Sequence, residues 1–240
     1  MKIILLTLIF LSNNSYSQVS FLEFEKLKTV LQKAFKELRR DDSHKLVINK
    51  KVDGFDNYWW KSEQIHASYV KMKYEKLTEH NIFLFGGYIR LNGMTLDGLA
   101  VTACHEIGHG IGGYPFKTSG SSTEGQADYF STKTCLPVVF KYLNANTDQN
   151  NYFDRLCSNI IVKDCVRKFS AIQSTKLFLE SIHNSTLDYY TPSNLVVETI
   201  NLNSSFYPSP QCRLDTLING ILDIERPACW YANGVTRDPF

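Results

Sequence analysis

Over residues 21–40 the apolar side chains Phe24, Leu27, Leu31, Ala34, Phe35 and Leu38 recur at three- and four-residue spacing, with Lys, Glu and Arg between them. That period draws one apolar stripe along a helix and predicts a helix packed by a single face. Asp53-Gly54 then marks a turn. Residues 65–74 are rich in strand formers and read as a strand, in which His66 is a structural or surface histidine. Residues 81–91 are β-branched and aromatic and read as a second strand, with Gly86 and Gly87 marking a bulge or a close backbone approach. After Asn92-Gly93, Thr95 or Asp97 caps a helix running to about Ile111, where Gly112-Gly113 and Pro115 stop it.

Lys117 to Thr123 is small and polar, hence a loop, and Glu124-Gly-Gln-Ala127-Asp128 opens another helix. Farther on the pattern weakens. Residues 138–143 and 166–182 read as helices, His183 as a surface residue and 195–202 as extended chain. A last helix follows Tyr207-Pro-Ser-Pro. There is no repeat, low-complexity tract or linker, so residues 18–240 are expected to form one α+β domain with a helical C-terminal part.

The 240 residues carry a formal charge of +2, dispersed along the chain, which argues against a nucleic-acid partner. Lys2, the apolar run after it and the small-residue end Ser15-Tyr16-Ser17 predict an export signal over residues 1–17. Its apolar run is too short to span a bilayer, and no later stretch is apolar enough to do so. A periplasmic or extracellular protein without a membrane span is therefore expected once the signal is removed. Six cysteines in an exported chain suggest disulfides. Cys212 and Cys229 bracket one short segment and are the first choice. Cys157 and Cys165 can pair if a turn intervenes, because eight residues of helix separate them by roughly 12 Å. Cys104 and Cys135 form the third pair, or Cys104 stays a free thiol.

The chemistry concentrates in Val101-Thr-Ala-Cys-His105-Glu106-Ile-Gly-His109-Gly-Ile111. On a helix, residues four apart lie about 40° apart around the axis and roughly 6 Å along it. His105 and His109 thus point the same way and can share one small metal ion. Glu106 is turned about 100° from His105 and can reach a water on that metal without ligating it. Two imidazoles on zinc with a carboxylate base beside them is the layout of a zinc peptidase. Glu106 is the lone charged residue between Val101 and Ile111, and ionisable groups on an otherwise apolar helix are costly unless something binds them.

Glu124 has two readings. Ser121-x-x-Glu124 can be a capping box, with Glu124 serving the helix start. Alternatively Glu124 is the third zinc ligand, with Asp128 one turn on accepting the spare ring N–H of a ligand histidine, His105 first. A histidine ten residues after His105 is excluded as third ligand, because Pro115 stands there.

These stretches together resemble the gluzincin metallopeptidases, most of all the HtpX and CAAX-protease family with its soluble periplasmic members. Asn81-x-Phe83 with Gly86-Gly87 is similar to the family's edge strand. His105-Glu106-x-x-His109 matches its active helix, and Glu124-x-x-Ala127-Asp128 its second motif. Tyr207-Pro208 followed by Arg213-Leu214 resembles its His-Pro and Arg segment, with Tyr207 where the family has histidine. The resemblance implies a zincin-like α+β fold, one zinc per chain on His105, His109 and Glu124, and an edge strand at Asn81, Phe83, Gly86 and Gly87 that pairs with an extended peptide. It also implies that Tyr207 and Arg213 steady the oxyanion of the tetrahedral intermediate.

The expected function is an exported zinc endopeptidase acting on peptides or proteins, with Glu106 as general base. The alternative is a zinc-binding interaction or scaffold protein of the cell envelope with weak or no turnover.

Overall fold

A computed structural model of the chain describes residues 19–144, 151–158 and 161–239. The export signal expected over residues 1–17 lies outside them. Among the described residues no helix is long and apolar enough to cross a membrane.

The first helix, α1 (Phe21–Leu38), starts at a reciprocal cap. Ser20 Oγ accepts from the Glu23 amide, and the Glu23 carboxylate accepts from the Ser20 amide at 2.8 Å. Its stripe of Phe24, Leu27, Leu31, Ala34 and Phe35 is wholly buried. The chain continues through β1 (His44–Ile48), a short α2 (Tyr58–Lys61), β2 (Ala67–Lys73), β3 (Thr78–Leu84) and a single turn, α3 (Gly86–Ile89). The strands form a three-stranded mixed sheet in the order β1-β3-β2. β1 runs parallel to β3, with His44 opposite Thr78, and β2 runs antiparallel, with Ala67 opposite Leu84.

This order corrects the expectation for Asn81, Phe83, Gly86 and Gly87. β3 is the central strand, hydrogen-bonded on both sides, and has no edge to offer a peptide. Asn81 is fully buried, and the Phe83 ring packs on Trp59 at 4.7 Å. Gly86 and Gly87 do mark a close approach, but it is to the chain's own backbone. A β-carbon on either would collide with the carbonyls of Trp60 and Glu63. The edges are β1 and β2, and β2 is the one whose first residues line the cleft described below. What makes β3 central is β1, a five-residue strand whose pairing partner lies more than thirty residues away and which has no local signature.

The central helix, α4 (Leu96–Ile111), is capped by Thr95, whose hydroxyl accepts from the Gly98 amide at 2.9 Å. It is buried along nearly its whole length, between the sheet, α1 and the later helices. Those are α5 (Glu124–Phe130), a π-helical turn (Ser131–Cys135), α6 (Leu136–Phe140), a 3₁₀ turn (Asn151–Phe153), α7 (Asp154–Cys157), α8 (Cys165–His183) and α9 (Pro210–Leu222). Small residues let the helices touch. Gly108 of α4 faces the Ala127 backbone of α5 so closely that an added β-carbon would sit 3.0 Å from it. Residues 195–202, expected to be extended, join no strand ladder.

All three expected disulfides are present: Cys104–Cys135, Cys157–Cys165 and Cys212–Cys229. Cys157 closes α7 and Cys165 opens α8, so a break in the helix brings their Cα atoms to 5.9 Å. Cys104 is therefore not a free thiol. It joins α4 to the end of the π turn, on the chain segment that begins with α5.

Candidate metal centre

The Gly108–Ala127 contact sets the site. It lays α5 across α4 where His105 and His109 emerge, and Glu124 and Asp128 lie three and one residues from Ala127 on the facing side. Glu124 Oε2 is 3.2 Å from His105 Nε2, and Oε1 is 3.5 Å from His109 Nε2. Three donor atoms, one from each residue, lie within 4.8 Å of one another. Two imidazoles and a carboxylate at that separation can hold one metal ion. The cap of α5 is Thr123, whose hydroxyl accepts from the Gln126 amide. The alternative in which Ser121 and Glu124 form a capping box is thus overturned, because Thr123 already occupies the capping position.

Each histidine is held from behind. Asp128 Oδ1 contacts His105 Nδ1 at 2.7 Å, a close charge contact without the alignment of a straight hydrogen bond. Arg213 of α9 grips the same carboxylate with two nitrogens, Nε at 2.7 Å and Nη2 at 2.9 Å. His109 Nδ1 donates to the Ser122 carbonyl at 2.9 Å. In the neutral ring that bond leaves Nε2 unprotonated, the form in which a histidine ligates a metal.

The surroundings push these groups in different directions. Burial opposes charge on His105, but Asp128 and Glu124 outweigh it, and its pKa is pushed up to about 10. Burial, and then the charge on His105, pull His109 down to about 4. Burial raises Glu106 to about 7. Glu124 and Asp128 are equally shut off from water, yet their cationic neighbours hold both below the usual carboxylate range: His105 foremost for Glu124, Arg213 and His105 for Asp128.

These residues line a cleft of about 590 Å³. One wall is Ile65 and His66 with Tyr69 of the β2 strand they lead into; another is α8 with Phe178 and His183; a third carries Tyr207 and Arg213. Tyr207 stands at the opening, more than half exposed, and burial followed by the Glu124 charge raises its phenol pKa. The four residues expected to bind a peptide, Asn81, Phe83, Gly86 and Gly87, are not in the lining.

No protein-family model, curated protein or solved structure matches this chain.

Two features escape a reading of the sequence. Lys117 lies in the loop between the ligand helices, and its Nζ is 2.5 Å from Glu124 Oε1. The signal was the shortness of that loop, which leaves any long side chain within reach of the ligands. Behind the β2 wall, Tyr69 Oη contacts His80 Nδ1 and His80 Nε2 contacts His44 Nδ1, each at 2.8 Å. His80 is fully buried in this chain of contacts, and burial lowers its pKa to about 4. These three residues come from three strands, and nothing local in the sequence links them.

Proposed function

We propose that the chain is an exported zinc-dependent endopeptidase with a zincin-like domain, as its resemblance to the HtpX and CAAX-protease family implies. One observation carries the reading: His105, His109 and Glu124 converge at a cleft that also holds the buried carboxylate of Glu106. The donor set suits zinc, with neutral nitrogen and carboxylate oxygen as ligands and a charged partner behind one of the histidines. When bound, zinc supplies Lewis acidity toward a carbonyl oxygen and lowers the pKa of water.

The chain's own residues do the rest. Glu106, with its pKa near neutrality, takes the proton of the attacking water and returns it to the leaving amine. An extended peptide pairs with the free edge of β2, whose first residues line the cleft. Tyr207 donates from the opening to the developing oxyanion. Arg213 is committed through two nitrogens to Asp128, so its main part is to fix Asp128 against His105, and its charge reaches the oxyanion from the wall.

The test is metal content together with casein cleavage for wild type and Glu106→Gln at equal zinc occupancy. Glu106→Gln keeps zinc and loses at least about a hundredfold in rate. Equal rates for the two proteins would remove Glu106 from the role of base.

A second reading, a zinc-binding envelope scaffold with weak or no turnover, draws on the Lys117 ammonium against Glu124 Oε1, inside the ligand set. Full zinc occupancy with no cleavage of a broad peptide library would favour it.

A further inference from the structure

We infer that Lys117 sets the metal affinity of the site by competing, as a tethered cation, for Glu124. The inference rests on the metal-binding reading above and goes beyond it, since neither the ligand set nor the peptidase chemistry calls for a lysine here. Glu124 Oε1 is the oxygen turned toward His109, and the same oxygen takes the Lys117 ammonium at 2.5 Å. Both side chains are nearly closed off from water, with 10% of Lys117 and 3% of Glu124 exposed. At such burial a unit charge is poorly screened, so an ammonium beside a ligand oxygen weakens the attraction of that oxygen for a second cation.

The lysine is held in place by its loop. The Lys117 amide donates to the Ser121 carbonyl at 2.7 Å, and the Gly120 amide donates to the Lys117 carbonyl at 2.8 Å. Phe116 and Ser122 form a bridge across the same turn, and Ser122 supplies the carbonyl that orients His109. One hairpin therefore positions a ligand and its competitor together. The face of the Tyr207 ring is 5.8 Å from Nζ, within the range of a cation–π contact. A turn of the side chain toward that ring is the movement that would release Glu124 Oε1.

The experiment is a zinc titration against a chromophoric chelator, on the full chain with the export segment removed, for wild type, Lys117→Met and Lys117→Arg. Thermal melts in parallel report folding, and Lys117→Gln replaces the Met variant if a buried thioether at this place is not tolerated. Lys117→Met binds zinc at least about tenfold more tightly than wild type, while Lys117→Arg, which keeps the charge, stays close to wild type. Zinc binding by wild type and Lys117→Met with equal affinity overturns the inference and leaves the metal site standing. Weaker binding by a folded Lys117→Met also overturns it, because the lysine would then be organising Glu124 instead of competing for it. No zinc on any of the proteins overturns the metal-binding reading, and the inference with it.

Discussion

His105 and His109 stand one helical turn apart, and their supports are of different kinds. Behind His105 lies an ionic relay, Asp128 and then Arg213, built from α5 and α9 and almost closed to solvent. Behind His109 lies a single backbone carbonyl, Ser122, on the loop that also carries Lys117. One ring is drawn toward the charged form and the other is kept neutral. A site that must present two neutral imidazoles thus has one ring already in that state, and another whose partner favours a proton until a stronger cation competes for it. Side-chain substitution can reach the first support and largely misses the second, so the two halves should respond differently to mutation.

The largest effect is expected at the relay. Asp128→Asn keeps the shape but leaves Arg213 buried without its counter-charge and His105 without its anionic partner. Zinc affinity should fall by about 10- to 100-fold in a chelator titration. Breaking a buried charge pair on one side typically costs about 3–5 kcal/mol, so the chemical denaturation midpoint should fall as well. An unchanged affinity would mean that the relay serves the fold alone.

Next in size is a contrast in pH dependence, measured as thermal unfolding with chelator present. A histidine whose folded pKa is raised stabilises the fold fully below its ordinary value near 6.5, and that contribution disappears as pH climbs through about 10. A histidine whose folded pKa is depressed does the reverse, adding stability as pH rises from about 4 to 6.5. His105→Gln should therefore flatten the alkaline fall, and His109→Gln should flatten the acidic rise. If both variants change the same limb, the two supports are not distinct.

Smaller still is Ser122→Ala. It removes the hydroxyl that donates to the Gly113 carbonyl at 2.7 Å, worth about 1 kcal/mol, but retains the carbonyl that orients His109. Zinc affinity should stay within about threefold of wild type. The smallest effect is Tyr207→Phe, with a loss in cleavage rate well below that of Glu106→Gln and no change in zinc content. A loss as large as that of Glu106→Gln would make the phenol a principal donor.

The same contrast explains what could be read from the chain beforehand. Helices α1, α4, α5 and α9 announce themselves through local periods and caps, and the candidate metal ligands sit on two of them, so His105, His109 and Glu124 are legible as a set. The sequence leaves Cys104 open between pairing with Cys135 and a free thiol, because nothing local says that α4 and the π turn are neighbours. The sheet order departs from the sequence pattern for a similar reason. A run such as 81–84 looks alike whether it is central or at an edge, and what decides is the distant His44–Ile48 strand. Lys117 and the Tyr69–His80–His44 chain were missed because their roles depend on which segments fold beside them.

Cys104 immediately precedes His105, and Cys135 closes the segment that begins with Glu124 and Asp128. The two halves of the candidate metal centre are thus sewn together by a covalent stitch that forms where the surroundings are oxidising. A newly made chain in a reducing compartment has every ligand residue but lacks the stitch that fixes their spacing. Maturation of the site is then tied to a place as well as to a fold, and for the proposed peptidase this spares the proteins of the compartment in which it is synthesised.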